Sequence, residues 1–490
     1  MGNILVNLDA WVPDQAVWNN RILYNAKNVY PGTMGYTPVQ DYVSSTSAVD
    51  TERVRGAKTF RHSTTALTTI VGTRTKIKKL SGGATAFTDL SDGTYATDSE
   101  FGFWSMAQYG TLAVMTNQAD NIKKYDIVEA AATVSDLGGS PPRAKHIMTV
   151  KDFLVVANTE TVPHRVQWSD IFLAEQWGSG LADYQDLPDG GRVMSVLGGE
   201  VGYLFQERMI RAMQFTPGAD YAFQIDPVDQ NRGSAAYQGL VGVGSSGFYL
   251  AHDGFFYFNG GASTPIGTDK VDNWFATNAA STSLSRTVAG IDPRKKLIFW
   301  SFISNENTDA SLNVSIPDKM LIYHWPSKRF AWAQIAISAY ADISVAGTTL
   351  EAMGNIDTLP YSMDSGVYNS DGIVSSMSVF GADSKMGYLS GANLEATFEV
   401  KRLEFFPPMR QYVRGFWPVV DGDGVSMALA PTEAIKDGES YGNYVSQEDS
   451  GLIPADSSAR MHSFRMKISA GSTFRNARGF YVDAIADGEL

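Results

Sequence analysis

Short apolar runs separated by polar turns recur between residues 54 and 394. The clearest unit has two aromatic-rich runs, 248–251 and 255–258, on either side of His252-Asp253-Gly254. Asp-Gly favours a two-residue turn because both central positions take positive φ. Aromatic and β-branched residues suit a pleated, half-buried surface. The pattern therefore predicts a β-hairpin.

The same hairpin pattern occurs seven times, and its second run ends in turn at Leu80, Tyr125, Trp168, Met213, Phe258, Trp325 and Leu389. The first five ends are 43 to 45 residues apart, whereas the last two intervals of 67 and 64 residues indicate insertions such as 304–318. A period in the low to middle forties is the length of a four-stranded propeller blade. The sequence predicts an all-β chain whose residues 51–400 form a β-propeller of about seven blades, with six as the alternative.

The two ends of the chain lack this period. Residues 1–50 predict an N-terminal arm that packs on the platform or supplies the strand that closes the propeller, since closure removes an exposed sheet edge. Residues 401–490 predict a C-terminal β-sandwich or platform, with strands at 412–420, 461–468 and 479–486. The polar loop at 432–458 exceeds hairpin length, and long loops commonly bind a partner or are disordered. We expect it to contact a neighbouring subunit.

Composition narrows the range of functions. The 490 residues include no cysteine, which excludes disulfides and thiolate metal sites. The net charge of −13 argues against tight binding to nucleic-acid phosphates, although DNA could still slide past a protein surface of this charge. No apolar run approaches the roughly 20 residues that span a bilayer, and the N-terminus lacks a signal-peptide pattern. We expect a soluble product made in the cytoplasm.

Motifs for chemistry are weak. Gly242-Val-Gly244-Ser-Ser-Gly247 matches a dinucleotide fingerprint, but a strand rather than the required helix is expected to follow. The six histidines lie more than five residues apart, and no G-x-S-x-G elbow is present. One imperfect Asp-box at 362–366 makes a propeller glycosidase the best enzyme alternative. We expect no enzymatic activity, no catalytic residues, no cofactor and no metal.

Two further groups are given structural interpretations. The lysines of 76–79 and 123–124 stand at matching positions of adjacent blades, which favours solvated strand faces over a nucleic-acid patch. Trp168 and Trp177 flank a Ser-Asp turn, which favours packing between blades.

A series of segments, each loose in itself, follows a distinctive order along residues 150–490. They are Val166-Gln-Trp-Ser-Asp-Ile171, Glu175-Gln-Trp177, Asp292-Pro-Arg-Lys-Lys-Leu-Ile-Phe-Trp300, Met320-Leu-Ile-Tyr-His-Trp325, Arg329-Phe-Ala-Trp332, Asp357-Thr-Leu-Pro-Tyr-Ser-Met-Asp364, Gly391-Ala-Asn-Leu-Glu-Ala-Thr397, Arg460-Met-His-Ser-Phe-Arg465 and Arg475-Asn-Ala-Arg-Gly479. In this order the chain resembles the tail nozzle, or head-stabilisation, proteins of short-tailed bacteriophages.

The resemblance implies a structural virion protein of the tail, assembled in the host cytoplasm. Members of that family form a six-fold ring below the portal and adaptor rings, with propellers outside a tube built by the other strands. The tube retains the packaged genome and conducts it during ejection. The implied partners are further copies in a homohexamer, the portal or adaptor protein, tail fibres or spikes, and double-stranded DNA that passes without sequence recognition.

We further expect acidic residues of the C-terminal region to line the channel, namely Asp421, Asp423, Glu433 and Asp437. Two other functions stay open. One is a propeller glycan hydrolase or glycan-binding module of a phage tail, and the other is a monomeric cytoplasmic interaction scaffold.

Overall fold

The structure is a computed structural model that describes residues 2–16, 22–61, 67–81, 84–98, 100–218, 221–307, 316–345 and 374–488. Nearly every regular element is a strand. The Asp-box at 362–366 and most of the insertion at 304–318 lie outside the described residues.

Five strands come before the repeating part of the chain. They are β1 (Gly2–Asn7), β2 (Asn25–Lys27), β3 (Val29–Pro31), β4 (Tyr36–Pro38) and β5 (Gln40–Ala48).

Five antiparallel sheets follow, each made of four strands consecutive in the chain. Their strands are β6 (Gly56–Arg61), β7 (Leu67–Gly72), β8 (Ile77–Ser81) and β9 (Thr88–Asp89); β10 (Ser105–Tyr109), β11 (Leu112–Thr116), β12 (Lys123–Asp126) and β13 (Ser135–Asp136); β14 (Ala144–Val150), β15 (Phe153–Thr159), β16 (Arg165–Trp168) and β17 (Asp183–Asp186); β18 (Val193–Leu197), β19 (Gly202–Gln206), β20 (Ile210–Phe215) and β21 (Phe223–Asp229); and β22 (Leu240–Val243), β23 (Ser246–Ala251), β24 (Gly254–Phe258) and β25 (Ser263–Pro265).

The sixth and seventh sheets differ in how they are completed. The strands of the sixth are β26 (Val288–Asp292), β27 (Leu297–Phe302), β28 (Lys319–His324) and β29 (Arg329–Gln334), and those of the seventh are β30 (Ile337–Val345), β31 (Val374–Gly381) and β32 (Lys385–Asn393) with β5. The described helices are α1 (Asp272–Asn278) and two 3-10 turns, Pro188–Gly190 and Ser281–Arg286.

The seven sheets form a closed ring. The first strand of each sheet contacts the first strand of the next, and β30 of the seventh sheet contacts β6 of the first. N-terminal β5 pairs with β32, with Tyr42 opposite Leu389 and Val43 opposite Tyr388. Because a strand from the start of the chain completes the last sheet, the ring is closed by backbone hydrogen bonds. The predicted all-β class and the seven-bladed propeller are confirmed.

Aromatic side chains hold neighbouring blades together, as the fourth and fifth blades illustrate. Phe205 of β19 lies with its ring centroid 5.1 Å from Tyr249 and 5.3 Å from Phe258 of the next blade, and Tyr203 lies 4.9 Å from Phe258. Phe205, Tyr249 and Phe258 are fully buried. Each edge-to-face pair contributes about 0.5–1.5 kcal/mol beyond its buried area.

The turn of the fifth blade differs slightly from the sequence expectation. Ala251 pairs with Gly254, so His252 and Asp253 form the loop and Gly254 begins β24. Gly254 has φ 131°, where L side chains are strained, and an added Cβ would lie 2.3 Å from Asp272 Oδ2. A glycine is therefore needed at this position both for the turn and to let the Asp272 side chain pack close to the backbone.

The C-terminal strands are β33 (Ala396–Leu403), β34 (Gln411–Asp421), β35 (Val425–Thr432), β36 (Val445–Ser446), β37 (Ile453–Ala459), β38 (Met461–Ile468) and β39 (Asn476–Ala486). One sheet has the order β3-β4-β39-β34-β37, with β1 also paired to β39. The other continues the sixth blade, in the order β26-β27-β28-β29-β2-β33-β38-β35-β36.

N-terminal β2 joins the propeller to the C-terminal sandwich. Its Lys27 pairs in parallel with Trp332 of the sixth blade, and Asn25 pairs in antiparallel fashion with Glu399 of β33. The predicted boundary between residues 400 and 401 falls inside β33, and hydrogen-bonded pairing runs across it. Aromatic rings form the core of the sandwich: the ring centroid of Phe464 lies 5.6 Å from those of both Phe416 and Phe480.

Candidate interaction surface and channel residues

Two of the predicted channel residues lie at one end of β35. Asp421 is the last residue of β34, Asp423 stands in the turn to β35, and both are exposed. Asp423 Oδ1 accepts hydrogen bonds from the backbone N and the Oγ1 of Thr473, at 2.7 and 3.0 Å. These hydrogen bonds lower the pKa of Asp423, so its carboxylate stays charged at neutral pH.

The other two lie beyond the opposite end of the same strand. Glu433 forms an ion pair with Arg410 at 2.7 Å, and Asp437 Oδ2 accepts the backbone N–H of Ala434 at 2.9 Å. Eight strand residues separate the two pairs, which corresponds to about 27 Å at 3.4 Å per residue. The structure therefore places the four carboxylates as two separate pairs. They could share a channel wall only if β35 ran along it.

An apolar row that the sequence analysis missed crosses the outer face of the six-stranded sheet. Leu5 of β1 is paired with Tyr481 of β39, and Tyr481 is paired with Trp417 of β34. The three side chains are 36%, 39% and 37% exposed. Their strand neighbours Val6, Val482 and Phe416 are buried against the other sheet, which is why this row faces outward.

Charged groups border this row. Arg414, three residues before Trp417 on β34, has its Nη2 2.7 Å from the Oδ1 of Asp483, two residues after Tyr481 on β39. Exposed aromatic residues with a polar rim are typical of protein–protein interfaces. Only one sign of this row was present in the sequence: the aromatic residues of β34 and β39 alternate between both faces of the strands. The alternation of side chains does not tell which of the two faces a second sheet covers.

The propeller axis holds a cavity with a volume of about 520 Å³. Its wall is formed mainly by the first strands of the blades and includes Phe103, His146 and Tyr237. Among the described residues, no group of three or more His, Asp or Glu side chains could hold a metal ion.

Several sequence interpretations can be checked directly. Of the glycines in 242–247, Gly242 lies in β22, Gly244 in the turn and Gly247 in β23, so a strand rather than a helix follows, as expected. Trp168 and Trp177 are 3% and 6% exposed, which confirms their role in packing. The solvated-face interpretation is wrong for Lys123, which is 8% exposed. Its Nζ lies 2.6 Å from carboxylate oxygens of both Asp92 and Asp136. Lys123 therefore links the loop after β9 of the first blade to β13 of the second.

Comparisons with known proteins give only distant likenesses. No protein-family model and no curated protein matches the chain. Similar solved structures include BamB from Moraxella catarrhalis, with a TM-score of 0.38, 9% identity, and coverage of 78% of this chain and 97% of that chain. A chain of the BBS1N complex with ARL6DN has a TM-score of 0.40 and 9% identity, and the match covers 71% of this chain and 96% of that chain. The computationally designed Ika8 protein has a TM-score of 0.37 and 8% identity, and the match covers 79% of this chain and 99% of that chain. At such scores, the propeller assignment rests on the strand pairing of the chain itself.

Within the described residues, no helix is long and apolar enough to cross a membrane.

Proposed function

We propose that this chain is a structural virion protein, the nozzle subunit of a short phage tail. Copies assemble into a ring below the portal or adaptor protein, and the resemblance implies that this ring is a homohexamer. The ring retains the packaged double-stranded DNA and forms the conduit for its ejection, and tail fibres or spikes attach nearby. In this role the chain has no enzymatic activity.

The observation that carries the proposal is the exposed row of Leu5, Tyr481 and Trp417. It lies on the sheet outside the propeller, where the resemblance puts the tube wall. Large aromatic residues left in water on a flat sheet are stabilised when another surface covers them, and aromatic anchors dominate binding energy at interfaces. A subunit–subunit contact through this sheet therefore suits a ring.

Charge supports the conduit. The chain carries a net charge of −13, and Asp421 and Asp423 are exposed at one end of the sandwich. A wall with few exposed cations neutralises few phosphates and releases few counterions, so DNA would not adhere to it. A passage that DNA must leave quickly benefits from this weak attraction.

The test is mass spectrometry of purified particles together with imaging of the tail and of the isolated protein. We expect the chain in tails, and six-fold rings of the pure protein. A monomer that hydrolyses or binds glycans would replace the proposal with the glycan-module alternative. A monomer that captures soluble partners and is absent from particles would indicate the interaction scaffold.

A further inference from the structure

Two adjoining turns at one end of the sixth blade concentrate positive charge. They are 292–296, between β26 and β27, and 324–329, between β28 and β29, and they hold five cations and one carboxylate in a chain with a net charge of −13. Arg294, Lys296 and Lys328 are exposed and have no ion-pair partner among the described residues. We refer to these two turns as the basic end of the sixth blade.

The cations of the basic end lie close enough together to act on common neighbours. Burial, and then the charges of Lys296 and Arg329, lower the pKa of His324. Burial, and then the charge of Lys328, lowers the pKa of Lys270. The positive charges of the two turns therefore reinforce one another at this surface.

Two carboxylates stand beside these cations. Asp292 Oδ1 accepts the backbone N–H groups of Arg294 and Lys295 at 3.0 and 3.1 Å, and so holds the first turn in shape. Asp9 Oδ1 lies 3.8 Å from Arg329. These carboxylates offset only part of the five positive charges.

A loop of opposite charge follows the last strand of the same sheet. Residues 447–452 connect β36 to β37, and their Glu448 and Asp449 are exposed, without an ion-pair partner in the part of the chain that the structure describes. Backbone hydrogen bonds close the loop on itself, from Glu448 N to Leu452 O at 2.8 Å and from Gly451 N to Glu448 O at 2.9 Å. We refer to residues 447–452 as the acidic loop.

Further charges stand near the acidic loop. Gln447 N donates to Val425 O at 3.2 Å, which places the loop at the end of β35 where Asp421 and Asp423 lie. One cation, Arg475, stands beside them, with its backbone N 2.7 Å from Asp421 O. Because the carboxylates outnumber this cation, negative charge prevails at this end of the sandwich.

The acidic loop borders the exposed row of Leu5, Tyr481 and Trp417. A Cβ added to Gly451 would lie 3.7 Å from the ring of Trp417. The rim of the proposed subunit contact is therefore negative on this side, and a surface that covers it should carry positive charge. The basic end offers both cations and the partly exposed ring of Trp325.

The two charged surfaces are well separated within one copy. Five strand-to-strand steps of the nine-stranded sheet lie between β29, which begins at the basic end, and β36, which leads into the acidic loop. This separation is about 24 Å at roughly 4.8 Å per step. Opposite charges so placed on one rigid sheet can meet only between copies.

We propose that the acidic loop of one copy binds the basic end of the sixth blade of the next copy, head to tail around the ring. This inference rests on the ring of the proposed function and adds which two surfaces meet. A cyclic ring needs a contact between two different surfaces, whereas contact of the Trp417 row with itself gives a two-fold dimer. The apolar row supplies most of the affinity, and the charges fix the direction in which copies add.

Zero-length cross-linking tests the contact in the wild-type protein. Rings are assembled from an equal mixture of nitrogen-15-labelled and unlabelled copies, and a carbodiimide then joins lysine amines to carboxylates that touch them. Peptide mass spectrometry identifies the joined residues. We expect Lys296 or Lys328 to be joined to the acidic loop, in pairs of one labelled and one unlabelled peptide as well as in pairs of equal label.

The control is a link within one copy. Lys124 Nζ lies 2.7 Å from Glu175 Oε1, so this pair should be joined only in peptides of equal label. Rings that give the control link but no link between the basic end and the acidic loop would overturn the inference.

Charge reversal gives a second test. Lys296→Glu with Lys328→Glu should weaken the association of copies at least about tenfold, because like charges then face each other. Glu448→Lys with Asp449→Lys should have the same effect. An equal mixture of the two double variants should regain rings, since every contact of an alternating ring again pairs opposite charges.

Arg208→Glu with Lys151→Glu makes the same change in net charge at exposed positions of the propeller and should leave assembly unchanged. Rings that tolerate the reversals as well as this control, or a mixture that fails to regain rings, would contradict the inference while the proposed function stands. Wild-type protein that forms no ring would instead overturn the proposed function, and this inference with it.

Discussion

Trp417 and Tyr481 stand directly opposite each other on β34 and β39, with more than a third of each side chain in water. We expect Trp417→Ala combined with Tyr481→Ala to weaken ring assembly by about 2 kcal/mol or more per subunit contact, as for aromatic residues at interface centres. Sedimentation across a concentration series measures the effect. The free energy of unfolding of the monomer should change by only about 1 kcal/mol.

The matched control is Tyr221→Ala, at a tyrosine that is 52% exposed on the propeller. It should leave assembly unchanged. If this variant weakens the ring as much as the double variant does, the sheet face is not the contact.

Charge reversal tests the conduit wall. Asp421→Lys with Asp423→Lys should make assembled rings retain DNA, with log affinity gaining a salt slope of up to about two, one for each added phosphate contact. DNA binding of rings at low and high salt measures this. Glu433→Lys with Asp437→Lys should have the same effect only if both ends of β35 face the lumen.

Glu129→Lys with Glu200→Lys provides the same change in charge at exposed positions of the propeller. An equal gain in DNA binding by this control would show a general effect of net charge. The channel assignment of the four acidic residues would then be abandoned.

Closure of the ring depends on close contact between β5 and β32. A Cβ on Gly387 would lie 2.1 Å from the carbonyl oxygen of Val43. We expect Gly387→Ala to displace β5, to lower the free energy of unfolding by about 2 kcal/mol, and to speed proteolysis near residue 48. Urea unfolding and timed digestion measure both effects. Gly93→Ala is the control, since a Cβ there meets no atom within 4 Å; comparable damage by both variants would argue against closure through β5.

Buried His462 makes stability depend on pH. Its Nδ1 lies 2.9 Å from Gln411 Nε2, and its Nε2 lies 3.1 Å from Ser457 Oγ. Burial, and then the charge of Arg410, lower the pKa of His462 from 6.5 to about 4. Because the unfolded chain takes up this proton first as the pH falls, the stabilisation is complete above pH 6.5 and is lost between pH 6.5 and 4.

For this one group, the loss between pH 7 and pH 5 amounts to about 2 kcal/mol. Urea unfolding at the two pH values should show a smaller difference for His462→Gln than for the wild-type protein. His252→Gln, at an exposed position, should keep the wild-type difference. A wild-type pH dependence in His462→Gln would refute this role.

The position of each blade could be predicted from local pattern alone. Aromatic and β-branched runs, turn residues and a regular period are carried by neighbouring residues, so Phe248 and Phe255 already indicated a hairpin. The same reasoning gave Trp168 and Trp177 as packing residues. It was wrong about Lys123, because one of its partners, Asp92, follows the last strand of a different blade, while the other, Asp136, lies opposite it on the neighbouring strand β13.

The sequence by itself determined that this chain is a ring of short antiparallel hairpins with an acidic surface, because strand alternation and turn chemistry act over a few residues. Only the tertiary structure decided that β2 joins the sixth blade to the sandwich and that β5 completes the seventh. Only the structure decided that Trp417 faces water and that the acidic loop lies beside it. These features depend on which distant segments pair and which sheet face is covered, and neither is recorded in the local pattern of a strand.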